Sequence, residues 1–264
     1  MLTPPPQSGP APSLAGAAPD VVLVVPCFNE VARLDRQSFL DFRLPARRLR
    51  FCFVNDGSRD GTLAVLNGLC REQPELGFVL DLETNRGKAE AVRQGLLAAL
   101  ALGPSVVGFW DADLATPLAE LPRLCEVLDA SPEVDFVLGS RVRLLGRRIE
   151  RSALRHYLGR VFATGASLTL GLPVYDTQCG AKLLRAGPLA QELLAQPFLT
   201  RWIFDVELLA RLTRLARGGP VPIERRVCEL PLLRWTDVPG SKIRPWEWLR
   251  SGLELLLIWR AYRR

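Results

Sequence analysis

Two carboxylates, Asp111 and Asp113, follow the apolar run 106–110 and precede the turn-forming pair Thr116-Pro117. A run of this kind is typical of a buried strand, so both side chains are expected where that strand ends. Mg²⁺ and Mn²⁺ take oxygen ligands, and proteins commonly hold them with one or two carboxylates together with substrate phosphates. The alternative is that the pair only starts the next helix, because Asp is common in turns and caps.

Three further polar segments also follow predicted strands. They are 26–30 (Pro-Cys-Phe-Asn-Glu), 55–58 (Asn-Asp-Gly-Ser) and 85–88 (Asn-Arg-Gly-Lys). The strands are predicted over 21–25, 50–54, 76–82 and 106–110, and helices over 60–71 and 87–100. This β/α alternation predicts an α/β fold with a mostly parallel central sheet flanked by helices, in which ligands bind at the carboxyl ends of the strands. The polar segments should therefore meet at one edge of the sheet, which favours the metal site.

The second half of the chain carries a basic segment and an amphipathic C-terminus. A strand is predicted over 134–139, and residues 141–160 then hold seven Arg and one Glu. A helix to about residue 170, a polar turn at 176–180 and a helix over 203–217 follow. The last helix begins near Trp246 and places apolar residues on one face, namely Trp246, Leu249, Leu253, Leu256 and Leu257. That face either lies in a membrane interface or packs on its own domain.

Composition narrows the class of protein. Residues 1–19 are rich in Pro, Ala, Gly and Ser and are expected to be a disordered tail, while 20–264 should form one domain. Six cysteines without C-x-x-C spacing indicate reduced thiols in a cytoplasmic protein. The single His156 excludes His-rich metal sites, and no uncharged stretch reaches the roughly 20 residues of a membrane span. Neither a G-x-G-x-x-G nor a P-loop motif occurs, and no motif indicates nucleic-acid binding.

The order and spacing of these motifs strongly resemble those of the family 2 glycosyltransferases, which have the GT-A fold. The matching segments are Pro-x-Phe-Asn-Glu at 26–30, Asn-Asp-Gly-Ser-x-Asp-Gly-Thr at 55–62, Asn-Arg-Gly-Lys at 85–88 and Asp-Ala-Asp at 111–113. Segments 176–183, 202–209 and 235–242 are similar to the dolichyl-phosphate β-glucosyltransferase branch, among the polyprenyl-phosphate glycosyltransferases. The resemblance covers about residues 20–260.

This resemblance implies an inverting transfer of a sugar, glucose from UDP-glucose, to a polyprenyl phosphate. It puts Pro26, Phe28, Glu30 and Asp56 around the nucleoside, Lys88 near the donor, and Asp111 and Asp113 at the diphosphate and a Mg²⁺ or Mn²⁺ ion. Asp113 and Asp176 are the implied catalytic carboxylates, although Asp176 can also be a helix cap. Arg141 and Arg155 are expected to grip the acceptor phosphate, with Arg151 and Lys242 behind them.

The sequence also departs from its relatives. Asn55 stands where Asp is usual, and Ala115 stands where related mannose synthases often have Gln, so a third side-chain metal ligand is missing. The sequence is expected to lack the N-terminal membrane helix that is typical of the eukaryotic enzymes, and the expected location is cytoplasmic, peripheral at the inner face of the membrane. The alternatives are a soluble acceptor, mannose from GDP-mannose, a nucleotide-sugar-binding protein without turnover, and a nucleotidyltransferase.

Overall fold

The computed structural model describes residues 18–151, 153–238 and 245–263, and gives only the backbone of 153–156 and 245–249. The predicted tail therefore lies almost wholly outside the described residues. The same is true of Lys242 and of the side chains of Arg155, Trp246 and Leu249.

Nine strands form a large and a small sheet in the described part of the chain. They are β1 (Val21–Cys27), β2 (Leu49–Asp56), β3 (Gly77–Leu82), β4 (Val106–Trp110), β5 (Phe136–Ser140), β6 (Arg148–Glu150), β7 (Ala181–Arg185), β8 (Val227–Pro231) and β9 (Arg234–Thr236). The large sheet has the order β3-β2-β1-β4-β7-β5-β8, and β6 pairs with β9. The predicted mostly parallel sheet is confirmed. Strand β7, which was not predicted, pairs antiparallel with both β4 and β5.

The helices cover both faces of the large sheet. They are α1 (Arg36–Asp41), α2 (Thr62–Glu72), α3 (Lys88–Leu100), α4 (Leu121–Ala130), α5 (Ala153–Leu170), α6 (Pro188–Leu194), α7 (Phe204–Ala216), α8 (Ile223–Arg226) and α9 (Pro245–Tyr262). In β1, Val22 and Val24 contribute to the core under α3 and α7, whereas Leu23 and Val25 contribute to the core under α1, α2 and α4. Because both faces are covered, the central strands are continuous apolar runs, and this made them visible in the sequence.

The order of the strands reverses at β1. Strands β2 and β3 lie on one side of β1, and β4 lies on the other. The loops after β1 and β4 therefore diverge and leave a crevice at the carboxyl ends of these strands, which is where α/β sheets of this kind bind ligands. The loop after β4 carries Asp111 and Asp113.

Helix α9 packs on the domain through the face opposite to its exposed leucines. Ile258 is fully buried, whereas Leu253, Leu256 and Leu257 are 66%, 59% and 52% exposed. These three leucines share one face, as predicted, but that face does not pack on the described part of the domain. Among the helices that the structure describes, none has the length and apolarity needed to cross a membrane.

Candidate active site

Asp111 is held at the end of β4 by two neighbouring segments. Lys88, the first residue of α3, places Nζ 2.6 Å from Asp111 Oδ1. The Asp111 N–H donates to the Gly180 carbonyl at 2.9 Å. A Cβ atom at position 180 would lie only 2.0 Å from Asp111 Oδ2, so glycine is required for this close approach. The polar turn before β7 and the start of α3 thus fix one carboxylate between them.

The surroundings of Asp113 disfavour the negative charge of its carboxylate. Its Oδ1 accepts a hydrogen bond from the Ala115 N–H at 3.2 Å, and Arg33 Nη1 lies 3.8 Å from its Oδ2. Burial and the neighbouring charge of Asp111 raise the pKa of Asp113 above its usual range. A half-buried carboxylate beside a like charge is stabilised by a cation, and two carboxylates plus substrate phosphates are a normal donor set for Mg²⁺ or Mn²⁺.

No group of three or more candidate ligand side chains occurs among the described residues. Ala115 contributes no side-chain donor, and its carbonyl instead accepts from the Thr236 N–H at 3.0 Å. An ion bound here would therefore depend on phosphate oxygens and water to complete its coordination. This agrees with a site that fills together with a diphosphate.

The segment at 26–30 forms one wall of the crevice. Pro26 belongs to β1 and is half-buried, as is Phe28 in the loop that follows. The Glu30 N–H donates to Thr62 Oγ1 at 2.8 Å, which ties this loop to the start of α2. Arg33 binds the Glu30 carboxylate through two nitrogens at 2.8 and 2.7 Å. Arg33, which the sequence did not single out, thus bridges Glu30 and the neighbourhood of Asp113.

Asp56, the last residue of β2, is buried and bound by the loop that leads into α3. Its carboxylate accepts from the Arg86 N–H at 2.7 Å, the Gly87 N–H at 2.9 Å and Asn85 Nδ2 at 3.0 Å. A carboxylate has about four acceptor positions, so about one remains. The contacts of Asp56 fix the loop that delivers Lys88 to Asp111.

Arg141, which follows β5, and Asp176, which precedes the neighbouring β7, form a bidentate ion pair that is largely buried. The Asp176 carboxylate accepts from Arg141 Nε at 2.6 Å, Nη2 at 2.7 Å and the Arg141 N–H at 3.0 Å. Although burial disfavours its charge, the Arg141 guanidinium holds the pKa of Asp176 well below its usual range. Conversely, Asp176 and the more distant Asp111 keep the pKa of Arg141 raised against the cost of burial.

The surroundings of this ion pair explain its orientation. Glu229 of β8 accepts from the N–H groups of Tyr175 and Asp176, both at 2.7 Å. The Arg141 guanidinium lies 5.3 Å from the centre of the Trp235 ring, which the small sheet positions. Arg151 lies beside Gly159 of α5, since a Cβ atom there would come within 2.5 Å of its guanidinium. Arg155 is in the first turn of α5, and its side chain is outside the described residues.

A second buried ion pair, Lys182 with Asp205, was not predicted. Lys182 Nζ lies 2.6 Å from Asp205 Oδ1, and both side chains are at least nine-tenths buried. Gln178 Nε2 donates to Asp205 Oδ2 at 3.4 Å, which links the pair to the polar turn before β7. The one signal in the sequence is a lysine within the apolar run of β7, where an unpaired charge would be costly.

Comparison with known proteins gives a family and a fold. The sequence profile of glycosyl transferase family 2 matches residues 22–192. Dolichyl-phosphate β-glucosyltransferase of Drosophila melanogaster is 34% identical over 92% of this chain and 75% of its own length. The Homo sapiens protein of that name is 32% identical over 91% and 75%.

The solved structures that resemble the fold include glucosyl-3-phosphoglycerate synthase of Mycobacterium tuberculosis. Its complex with Mn²⁺, UDP-glucose and phosphoglyceric acid superposes with a TM-score of 0.62 at 18% identity. The match covers 92% of this chain and 79% of that one. The GT-A fold expected from the sequence is thereby confirmed.

Proposed function

Because the chain belongs to glycosyl transferase family 2, we propose that it transfers glucose from UDP-glucose to a polyprenyl, dolichyl-like phosphate, with inversion at the sugar carbon. The observation that carries this proposal is the Arg141 guanidinium, which Asp176 fixes through two side-chain nitrogens at 2.6 and 2.7 Å. A phosphate-binding cation therefore lies at the same edge of the sheet as carboxylates suited to a metal–diphosphate. The relatives at 34% and 32% identity support glucose as the transferred sugar and a lipid phosphate as the acceptor.

Asp113 is the principal ligand that we assign to Mg²⁺ or Mn²⁺, and Asp111 is the secondary one. Lys88 already occupies one oxygen of Asp111, whereas Asp113 has a raised pKa and a more distant cation, Arg33, at 3.8 Å. The bound ion would neutralise the negative charge that develops on the departing diphosphate. We assign Lys88 to a contact with the donor, and its ion pair with Asp111 at the same edge of the sheet supports this role.

The acceptor requires positioning more than deprotonation. A phosphate monoester has a second pKa of about 6 and is therefore already an anionic nucleophile at neutral pH. Asp176 is bound by Arg141 through two side-chain nitrogens, so we assign it to orienting Arg141 rather than to removing a proton. Arg141 then holds the acceptor phosphate, with Arg151 nearby. The same role for Arg155 and Lys242 remains a prediction from resemblance.

The nucleoside is assigned to the wall formed by Pro26, Phe28, Glu30 and Asp56. The remaining acceptor position of Asp56 suits a base N–H or a ribose hydroxyl, and its other contacts preorganise the loop before Lys88. With a lipid acceptor, the enzyme would act as a peripheral protein at the cytoplasmic, inner face of a membrane. Nucleic acid is not a partner in this proposal.

A donor screen tests the proposal. The purified chain, with Mn²⁺ and polyprenyl phosphate in detergent, would be given labelled UDP-glucose or GDP-mannose in separate reactions, and label in the extracted lipid would be counted. We expect label from UDP-glucose, little from GDP-mannose, and none with Asp113→Ala. Arg148→Ala, which changes an exposed arginine outside the site, is the matched control for Arg141→Ala. A preference for GDP-mannose would overturn the sugar assignment, and equal transfer by wild type and Arg141→Ala would overturn the acceptor site.

A further inference from the structure

Helices α5 and α9 both expose large apolar side chains to solvent. On α5, Val161 and Leu168 are 73% and 78% exposed. On α9, Leu253, Leu256 and Leu257 are 66%, 59% and 52% exposed. We call these five residues the α5–α9 face. Single exposed leucines are ordinary on protein surfaces, but a cluster on adjoining elements indicates an interaction site.

The residues of the α5–α9 face belong to two helices that pack side by side. A Cβ atom at Gly165 of α5 would lie 3.2 Å from Leu255 Cδ1 of α9, so the helices are in close contact along this edge. The buried Ala166 of α5 and Ile258 of α9 point into the same core. Since residues i, i+3, i+4 and i+7 share a side of a helix, the exposed residues of each helix lie together on the side away from that core.

Charge on the same helices is almost entirely positive. Helix α5 contains no Asp or Glu. On α9 the described acidic side chain is Glu254, which is buried and bonded to Arg250 at 3.1 Å. Arg260 and Arg263 are exposed, and the Arg263 guanidinium lies 4.3 Å from the centre of the Trp259 ring. Apolar side chains flanked by arginine and tryptophan are the composition of a surface that enters the headgroup region of an anionic bilayer.

We propose that the α5–α9 face docks on an anionic lipid bilayer. This inference rests on the proposed function, because it names the surface from which that reaction would draw its acceptor. Arg151 packs beside Gly159, so one of the proposed phosphate-binding arginines lies against α5, the helix that also carries Val161 and Leu168. Charge also argues against a second copy of the chain as the occupant. A second copy would offer no exposed acidic side chain on the described part of this face to pair with Arg260 and Arg263.

Flotation with vesicles tests the docking without any acceptor lipid. Wild type should bind vesicles of phosphatidylcholine with phosphatidylserine more tightly than vesicles of phosphatidylcholine alone. The double variant Val161→Asp/Leu256→Asp should lose at least about tenfold in affinity, because it puts two charges into the apolar contact. Arg260→Ala and Arg263→Ala should each lose about fivefold on the anionic vesicles, the equivalent of about 1 kcal/mol per basic residue. Leu199→Asp is the matched control, since Leu199 is 56% exposed on the loop after α6 and should leave binding unchanged.

A second measurement separates docking from the reaction. Transfer to a water-soluble, short-chain prenyl phosphate should be the same for wild type and for Val161→Asp/Leu256→Asp, whereas transfer to vesicle-borne polyprenyl phosphate should fall. Wild-type vesicle binding by that folded double variant, or no binding by wild type, would overturn the docking surface. A wild-type dimer that the double variant dissociates, with vesicle binding unaffected, would assign the face to self-association. Vesicle binding without transfer to either acceptor would leave the docking intact and overturn the proposed function.

Discussion

Replacing Asp176 by Asn should release Arg141 from its fixed orientation. The native carboxylate accepts three hydrogen bonds from Arg141, at 2.6, 2.7 and 3.0 Å, and the side chains are only 9% and 13% exposed. Asn offers one acceptor oxygen, and its amide donors would face the N–H groups of the guanidinium. Removing one partner from a buried ion pair costs about 3–5 kcal/mol. We expect a loss near the lower end, since neither group is fully enclosed, measured by urea unfolding.

The functional consequence should fall on the acceptor. If Arg141 holds the acceptor phosphate, Asp176→Asn should raise the acceptor KM at least about tenfold, equivalent to about 1.4 kcal/mol, and leave the donor Kd unchanged. The pH profile between pH 5 and 8 should keep its shape, because the pKa of Asp176 lies below its usual range and the group is ionised throughout. Acceptor kinetics and calorimetric UDP binding measure these effects.

Asp135→Asn is the matched control for this change. Asp135 pairs with Arg226 at 2.6 Å and has a comparably low exposure of 17%, but it precedes β5 at the opposite end of the strand from Arg141. It should lower stability without changing the acceptor KM. The positioning role of Asp176 would be refuted if Asp176→Asn lowered kcat at an unchanged acceptor KM and altered the pH profile, which is the behaviour of a general base.

Four further predictions concern the donor side and the core. Asp113→Ala should abolish transfer with an unchanged thermal melt, and Asp111→Asn should reduce transfer less. Full turnover by Asp113→Ala would exclude Asp113 as a metal ligand. Because a carboxylate must lose its proton to bind a metal and the pKa of Asp113 is raised, the affinity for Mn²⁺ with UDP should increase as pH rises through that pKa and decrease as pH falls. Calorimetry should find no such pH dependence in Asp113→Asn. Asp56→Ala should weaken UDP binding by about 1–3 kcal/mol, and unchanged calorimetric affinity would contradict its placement. Lys182→Met should destabilise the fold by about 3–5 kcal/mol, and Lys182→Met/Asp205→Leu by much less, as denaturant unfolding would measure; a double-variant loss equal to the sum of the Lys182→Met and Asp205→Leu losses would mean that the pair is not coupled.

The predictable part of the fold is the part that local pattern determines. Strands β1 to β4 were predicted to within about two residues, because each contains an apolar run, which in β1 and β4 is buried on both faces. Strand β7 was missed, since Ala181–Arg185 is short and contains a lysine. Its place between β4 and β5 depends on strands far away in the sequence. All six cysteines are free in the structure, and their reduced state in the cell stays a prediction.

In the candidate site, the positions of single residues could be predicted from the sequence, whereas the contacts between them could not. The positions of Asp56 and Asp111 at strand ends follow from the β/α pattern and were predicted. The ion pairs of the site were not predicted, because their partners are far apart in the sequence. Asp111 and Lys88 are separated by 23 residues, and Arg141 and Asp176 by 35. Such contacts depend on how the loops pack, which a single sequence does not encode by spacing. The bridging position of Arg33 was missed for the same reason.

Competition between acceptors tests most directly whether a lipid phosphate is the true acceptor. Equimolar polyprenyl phosphate and 3-phosphoglycerate would be offered together to the wild-type enzyme with labelled UDP-glucose and Mn²⁺, and label would be counted in the organic and aqueous phases. We predict that nearly all transferred glucose enters the organic phase, and that Arg141→Ala removes this product while UDP binding persists. Glucose found mainly on 3-phosphoglycerate would contradict the assignment of Arg141 and its neighbours to a lipid phosphate.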